Sequence, residues 1–185
     1  QSACCSLDSR KHHFVRIVII IPTFNERDNL RRLLPALQRV CGSMDHEMHL
    51  LIVDDDSPDG TQVVVREHMR QMPRLHLITG RRRGLGAAYV RGIHHAMAGL
   101  RADAICEMDA DLSHKPADVP RLVAALQRGA DFAIGSRYVT GGSIAHEWGV
   151  FRRMISKLGN LVARHLVGIS RIQDCTAGFR AIRAS

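Results

Sequence analysis

"VRIVIIIPTFNERDNLRRLLPAL", residues 15–37, holds the decision about the fold. Apart from Arg16, its first seven residues are all β-branched, and both faces of the run are apolar. A stretch this short and this uniformly apolar reads as a strand covered on both sides, the signature of a parallel sheet. Pro22 is expected to end it. Leu30, Leu33, Leu34 and Leu37 then recur at helical spacing. They predict a helix over residues 28–40 with Asn25 as its cap.

The same strand-then-helix unit repeats downstream. "HLLIVDD" (49–55) is a second strand, "SPDGT" (57–61) a turn by composition, and a helix follows to Met72. "RLHLIT" (74–79) is a third strand, followed by a Gly/Arg-rich loop and a helix over residues 87–100. "DAICEMD" (103–109) is a fourth strand, after which Ser113 caps a helix whose first turn holds Pro116. "DFAIGS" (131–136) is a fifth. Alternation of this kind specifies an α/β fold, a mostly parallel, Rossmann-like sheet flanked by helices.

Bulk composition is consistent with one such domain. The 185 residues are 45% apolar and 24% charged, ordinary values for a globular protein. Residues 1–14 read as a flexible polar tail and 15–185 as the folded unit. Lys+Arg 26 against Asp+Glu 18 gives +8, a balance that favours anionic partners such as phosphates, nucleic acid or an acidic membrane surface. Aromatics are only 4%, which counts against a single-strand nucleic-acid binder that stacks bases on rings. The five cysteines have no CxxC spacing, so they read as free thiols rather than a zinc site. No apolar run reaches the length of about 18 residues that spans a bilayer.

In a sheet of this type, ligands bind beyond the carboxyl ends of the strands. Four unusual segments fall there: "PTFNE" (22–26), "VDDDSPDGT" (53–61), "GRRRGLGAA" (80–88) and "DADLSH" (109–114). The glycine-rich loop follows the third strand rather than the first, which argues against a dinucleotide fingerprint. Asp109 and Asp111 at a strand end supply hard oxygen ligands for Mg²⁺ or Mn²⁺, which also bind phosphate. An acidic pair on a basic chain is then coherent: carboxylates recruit a cation, the cation a nucleotide diphosphate, and arginines the remaining charge.

The segments "IPTFNERDNL", "VDDDSPDGT", "GLGAAYVRG", "MDADLSHKP", "IGSRYVTGG", "RRMISKLGN" and "DCTAGFRA", in this order, resemble family 2 glycosyltransferases of the GT-A fold. Within them the chain is similar to the polyprenyl-phosphate (dolichyl-phosphate) mannosyltransferases. The resemblance covers residues 15–182 and implies transfer of mannose from GDP-mannose to a polyprenyl monophosphate, with inversion. It implies that Pro22, Phe24 and Glu26 line the nucleotide pocket, with Phe24 where the family more often has Tyr. Val53 and Asp55 would meet the base. Asp109, Ala110 and Asp111 would face ribose and diphosphate, with Asp111 the direct metal ligand and Ser113, where some relatives have Gln, a weaker one. Arg137 would pair with donor phosphates and Arg152 with the acceptor phosphate. Asp174 either orients the acceptor side or holds a loop. Family members continue past the "GFR" segment, so a C-terminal part is expected beyond Ser185.

The same resemblance implies a membrane surface as partner, at the cytosolic face of the endoplasmic reticulum in a eukaryote or of the plasma membrane in a prokaryote. Over residues 148–167, Val150, Phe151, Met154, Ile155, Leu158, Leu161, Val162 and Leu166 alternate at helical spacing with Arg152, Arg153, Lys157 and Arg164. This is either an interfacial helix or one packed on the core with a solvated basic face. The remaining rivals are a UDP-sugar enzyme acting on polyprenyl phosphate, an inactive scaffold subunit and a nucleic-acid-binding domain. The acidic edge speaks against the last.

Overall fold

The computed structural model describes residues 16–136, 174 and 177–184. Six strands form one sheet in the order β3-β2-β1-β4-β6-β5. They are β1 (Arg16–Thr23), β2 (Glu47–Asp54), β3 (Leu75–Thr79), β4 (Ala104–Glu107), β5 (Phe132–Ile134) and β6 (Arg180–Arg183). The helices are α1 (Arg27–Gly42), α2 (Thr61–Met69), α3 (Leu85–His94) and α4 (Val119–Gln127). Strands β1 to β4 are mutually parallel where they pair, and β6 runs antiparallel to both β4 and β5.

The β-branched run of β1 lies at the centre, as its pattern requires. Ile17, Val18, Ile19, Ile20 and Ile21 are all 0% exposed. Ile17, Ile19 and Ile21 face α1, whose Leu30, Leu33, Leu34 and Leu37 are fully buried beneath them. Val18 and Ile20 face the opposite way, toward Ala88 and Tyr89 of α3. Gly92 of α3 marks the closest approach: a Cβ there would stand 2.6 Å from Ile20 Cγ2 and 3.0 Å from Val53 Cγ2. Gly92→Ala is therefore expected to cost about 1–3 kcal/mol through overpacking, measurable as a lowered urea midpoint at unchanged slope.

Several expected boundaries shift. Pro22 does not end β1, which continues through Thr23. Met108 N donates to Ile20 O, so the polar groups of residues 20 and 22 turn toward β4, whose ladder with β1 stops at Ile20↔Glu107. The proton that Pro22 lacks is not needed there. Asn25 does not cap α1: it is left-handed at φ 59°, and Glu26 takes the cap position. Ser113 does not cap the helix after β4. Its amide donates to Asp111 Oδ1 (3.0 Å), and a short 3₁₀ turn, Pro116–Asp118, intervenes before α4. Helix α3 closes at His94 and passes into a π turn, His95–Gly99. Strand β6 was not anticipated.

Among the described residues, Cys41 and Cys106 are free thiols. Burial pushes the Cys106 thiol up to about 12 and Cys41 to about 11, which disfavours the thiolate form in both. No helix among the described residues is long and apolar enough to cross a membrane. The 148–167 segment, Arg137 and Arg152 lie outside the described residues, as does the proposed tail at 1–14.

Candidate active site

Strand order reverses between β1 and β4: from β1 the chain winds outward through β2 to β3, then returns past β1 to β4. The carboxyl ends of these two strands flank a switch-point crevice, the place where such sheets bind ligands. Pro22 to Glu26 leave one side of it and Asp109 to Ser113 the other.

The loops after β1 and β2 are stitched together. Asn25 N donates to Ser57 Oγ (3.0 Å), Glu26 N to Thr61 Oγ1 (3.0 Å) and Arg27 N to Asp59 Oδ2 (3.1 Å). Glu26 Oε2 accepts from Asn29 Nδ2 at 2.6 Å. Phe24 is half-buried, and the Arg82 guanidinium sits 3.8 Å above its ring centroid. That cation–π contact ties the loop after β3 to the loop after β1.

The three consecutive aspartates divide their work by burial. Asp54 is 0% exposed and accepts from Thr23, Ser57 and Gln62. Asp55 makes a 2.6 Å ion pair with Arg91 of α3. Asp56 is exposed and left-handed at φ 58°. Val53 is 0% exposed, so its side chain belongs to the core under α3 rather than to a ligand surface.

The second side of the crevice is built around Asp109. Tyr89 OH donates to its Oδ1 (3.0 Å). Burial, and then the Asp109 charge, push the Tyr89 hydroxyl well above the usual tyrosine range, so it remains a donor. The amide of Asp109 donates to His114 Nδ1 (3.0 Å). Two residues before Asp109, Glu107 pairs with Arg180 of β6 at 2.9 Å. Burial raises the Glu107 carboxyl, Arg180 opposes that, and Asp109 adds to it. Ala110 is buried, whereas Asp111 and Ser113 are exposed. Asp174, 0% exposed, sits in the interior, which favours the loop-holding role.

Among the described residues no group of three or more His, Cys, Asp or Glu closes around a cation. A protein-only cage is therefore absent there. Mg²⁺ and Mn²⁺ commonly take only one or two carboxylates and draw the rest from water and phosphate. An exposed Asp111 beside a pinned Asp109 fits that pattern of donors.

The family model for glycosyl transferase family 2 matches residues 18–185. The chain belongs to glycosyl transferase family 2. It is 43% identical over 172 residues to a polyprenol monophosphomannose synthase of Mycolicibacterium smegmatis, covering 91% of this chain and 62% of that protein. Among solved glycosyltransferase structures, glucosyl-3-phosphoglycerate synthase of Mycobacterium tuberculosis superposes over 94% of this chain and 58% of its own at TM-score 0.66. At 18% identity that likeness shows the GT-A fold alone. A mannosyltransferase of Pyrobaculum calidifontis, solved with GDP-Man and Mn²⁺, is 26% identical at TM-score 0.51 over 68% of this chain and 35% of its own.

Tyr89, Arg91, Arg82, Glu107, Arg180 and His114 escaped the sequence reading as site residues. Tyr89 and Arg91 lie inside the quoted "GLGAAYVRG", two positions apart among small residues. A tyrosine and an arginine on a helix otherwise fitted for close packing were the available signal. Arg180 depends on the antiparallel β6, for which periodicity gave no sign.

Proposed function

We propose that this chain is the nucleotide-sugar-binding part of a polyprenyl-phosphate mannose synthase, transferring mannose from GDP-mannose to a polyprenyl (dolichyl) monophosphate. What carries the reading is the 43% identity to a polyprenol monophosphomannose synthase, joined to an acidic pair at the switch point. The chain spans 62% of that relative's length.

The family resemblance, taken position by position, supports the following roles. Phe24, Pro22 and Glu26 form one wall for the nucleoside, with Asp55 held by Arg91 at its floor. Asp109, immobilised by Tyr89, faces ribose and diphosphate. Asp111 is the metal-binding carboxylate, with Ser113 beside it. Held there, Mg²⁺ or Mn²⁺ would supply positive charge to stabilise the diphosphate leaving group. Arg137 pairs with the donor phosphates and Arg152 with the acceptor phosphate. An acceptor phosphate monoester, with a second pKa near about 6, is largely dianionic at neutral pH. It attacks the anomeric carbon from the face opposite the nucleotide and inverts configuration, with no general base required. Alignment and electrostatic stabilisation supply the catalysis. A lipid-linked acceptor supports a reaction at a membrane surface, which we read as the cytosolic face.

A thermal-shift panel of GDP-, UDP- and ADP-sugars, with and without Mg²⁺ or Mn²⁺, tests this. GDP-mannose with metal is expected to raise the melting temperature, and GDP alone to retain much of the effect. At a concentration about 100 times its dissociation constant, a ligand adds about 2.7 kcal/mol. A shift with UDP-glucose but not GDP-mannose would transfer the assignment to a UDP-sugar enzyme.

A further inference from the structure

Beyond β4 the polypeptide leaves the sheet. The last backbone bond to β1 is from Met108 N to Ile20 O (3.1 Å), and Asp109 is the first residue past it. Three residues later Leu112 is left-handed at φ 64°, an uncommon conformation for a side chain of its size. The segment that carries both aspartates is thus a tight turn without a strand neighbour, and something else must fix its first carboxylate.

His114 occupies that place. The Asp109 amide donates to Nδ1 at 3.0 Å. An imidazole nitrogen that accepts carries no proton, so in the neutral ring the hydrogen sits on Nε2. Nε2 stands 3.8 Å from Asp109 Oδ2. The ring is itself held: it stacks on Phe179, with centroids 5.0 Å apart and planes at 14°. Gly178 completes the fit, since a Cβ there would stand 3.1 Å from Asp109 Oδ2 and 3.6 Å from His114 Cε1. The His114 side chain is only 16% exposed. Tyr89 approaches the other carboxylate oxygen, Oδ1, at 3.0 Å.

We propose that His114 is a positioning residue for Asp109. It clasps the backbone amide of Asp109 through Nδ1 and links the turn after β4 to the Ala177–Phe179 segment through its ring. The proposal rests on reading Asp109 as the carboxylate that faces the nucleotide sugar. In this role His114 acts through Asp109, holding it where ribose and diphosphate meet it. Because that contact exists in both the bound and the reacting complex, its loss is expected in KM for the donor more than in kcat.

Two substitutions separate the clasp from the stacking. His114→Phe keeps a ring against Phe179 and removes the acceptor. His114→Asn removes the ring and keeps a short acceptor within reach of the amide. Amide hydrogen exchange at Asp109, followed by NMR without any ligand, is expected to quicken about tenfold in His114→Phe and to stay near wild type in His114→Asn. In the full-length enzyme, KM for the nucleotide sugar is expected to rise about tenfold in His114→Phe, with kcat and the acceptor KM changing less than about threefold, and to recover in His114→Asn. Unchanged exchange at Asp109 in His114→Phe overturns the clasp, as does an Asn variant no better than Phe. If the wild-type enzyme shows no response to GDP-mannose, the proposed function falls, while the ligand-free exchange comparison still decides the role of His114.

Discussion

Asp111→Ala is expected to abolish metal-dependent binding of the nucleotide sugar and to lower turnover at least about 100-fold, about 3 kcal/mol in the barrier. The expectation comes from the contrast between the two aspartates. Asp109 is committed to protein partners, through Tyr89 on Oδ1 and through its amide on His114. Asp111 is exposed, and its hydrogen bond among the described residues is local, from the Ser113 amide to Oδ1. An exposed carboxylate bearing one short-range bond contributes little to stability, so the melting temperature without ligand should move by no more than about 0.5 kcal/mol would produce. The measurement pairs calorimetric titration of GDP with and without Mn²⁺ against steady-state turnover. Wild-type metal dependence in the mutant would remove Asp111 from the site.

The central sheet was legible because its code is redundant. In β1 a β-branched run buried on both faces admits one reading, and the leucines of α1 repeat the message at a different period. The carboxyl edge was legible for the same reason, since chain topology alone brings the ends of β1, β2 and β4 together. What escaped was local or non-local chemistry that periodicity does not encode. Asn25 has the composition of a cap, but the chain there serves the Ser57 hydroxyl through its amide and turns left-handed. Ser113 likewise gives its amide to Asp111 in place of capping a helix. Strand β6 is four residues long and carries an arginine at each end, so no run announces it. Its partner Glu107 is a charge within an otherwise apolar strand, and Arg180 pairs with it across the sheet. Within "VDDD", three identical side chains in a row give sequence no means of assigning tasks, and only burial separates them.

That separation predicts the largest stability effect at this edge. Asp54 is 0% exposed and its carboxylate is surrounded by donors: Thr23 Oγ1 at 2.9 Å, Ser57 Oγ at 2.6 Å, Ser57 N at 2.9 Å and Gln62 Nε2 at 2.8 Å. Thr23 closes β1, Ser57 receives the Asn25 amide, and Gln62 opens α2, so one carboxylate joins three elements. Asp54→Ala removes every acceptor at once and leaves the buried Thr23 hydroxyl and the half-buried Ser57 and Gln62 donors without this partner. Each orphaned buried donor costs about 1–3 kcal/mol, and because they share one carboxylate the costs do not simply add. A total loss of about 3–5 kcal/mol is expected, read as a fall of about 10 °C or more in melting temperature for a domain of this size. Asp54→Asn retains one oxygen but turns an NH₂ toward groups that also donate, so it should fall between alanine and wild type. Unlike Asp111→Ala, the deficit must appear with no nucleotide or metal present. A ligand-free loss below about 1 kcal/mol in Asp54→Ala would mean that the loop is held by its other stitches, with Asp54 incidental to them.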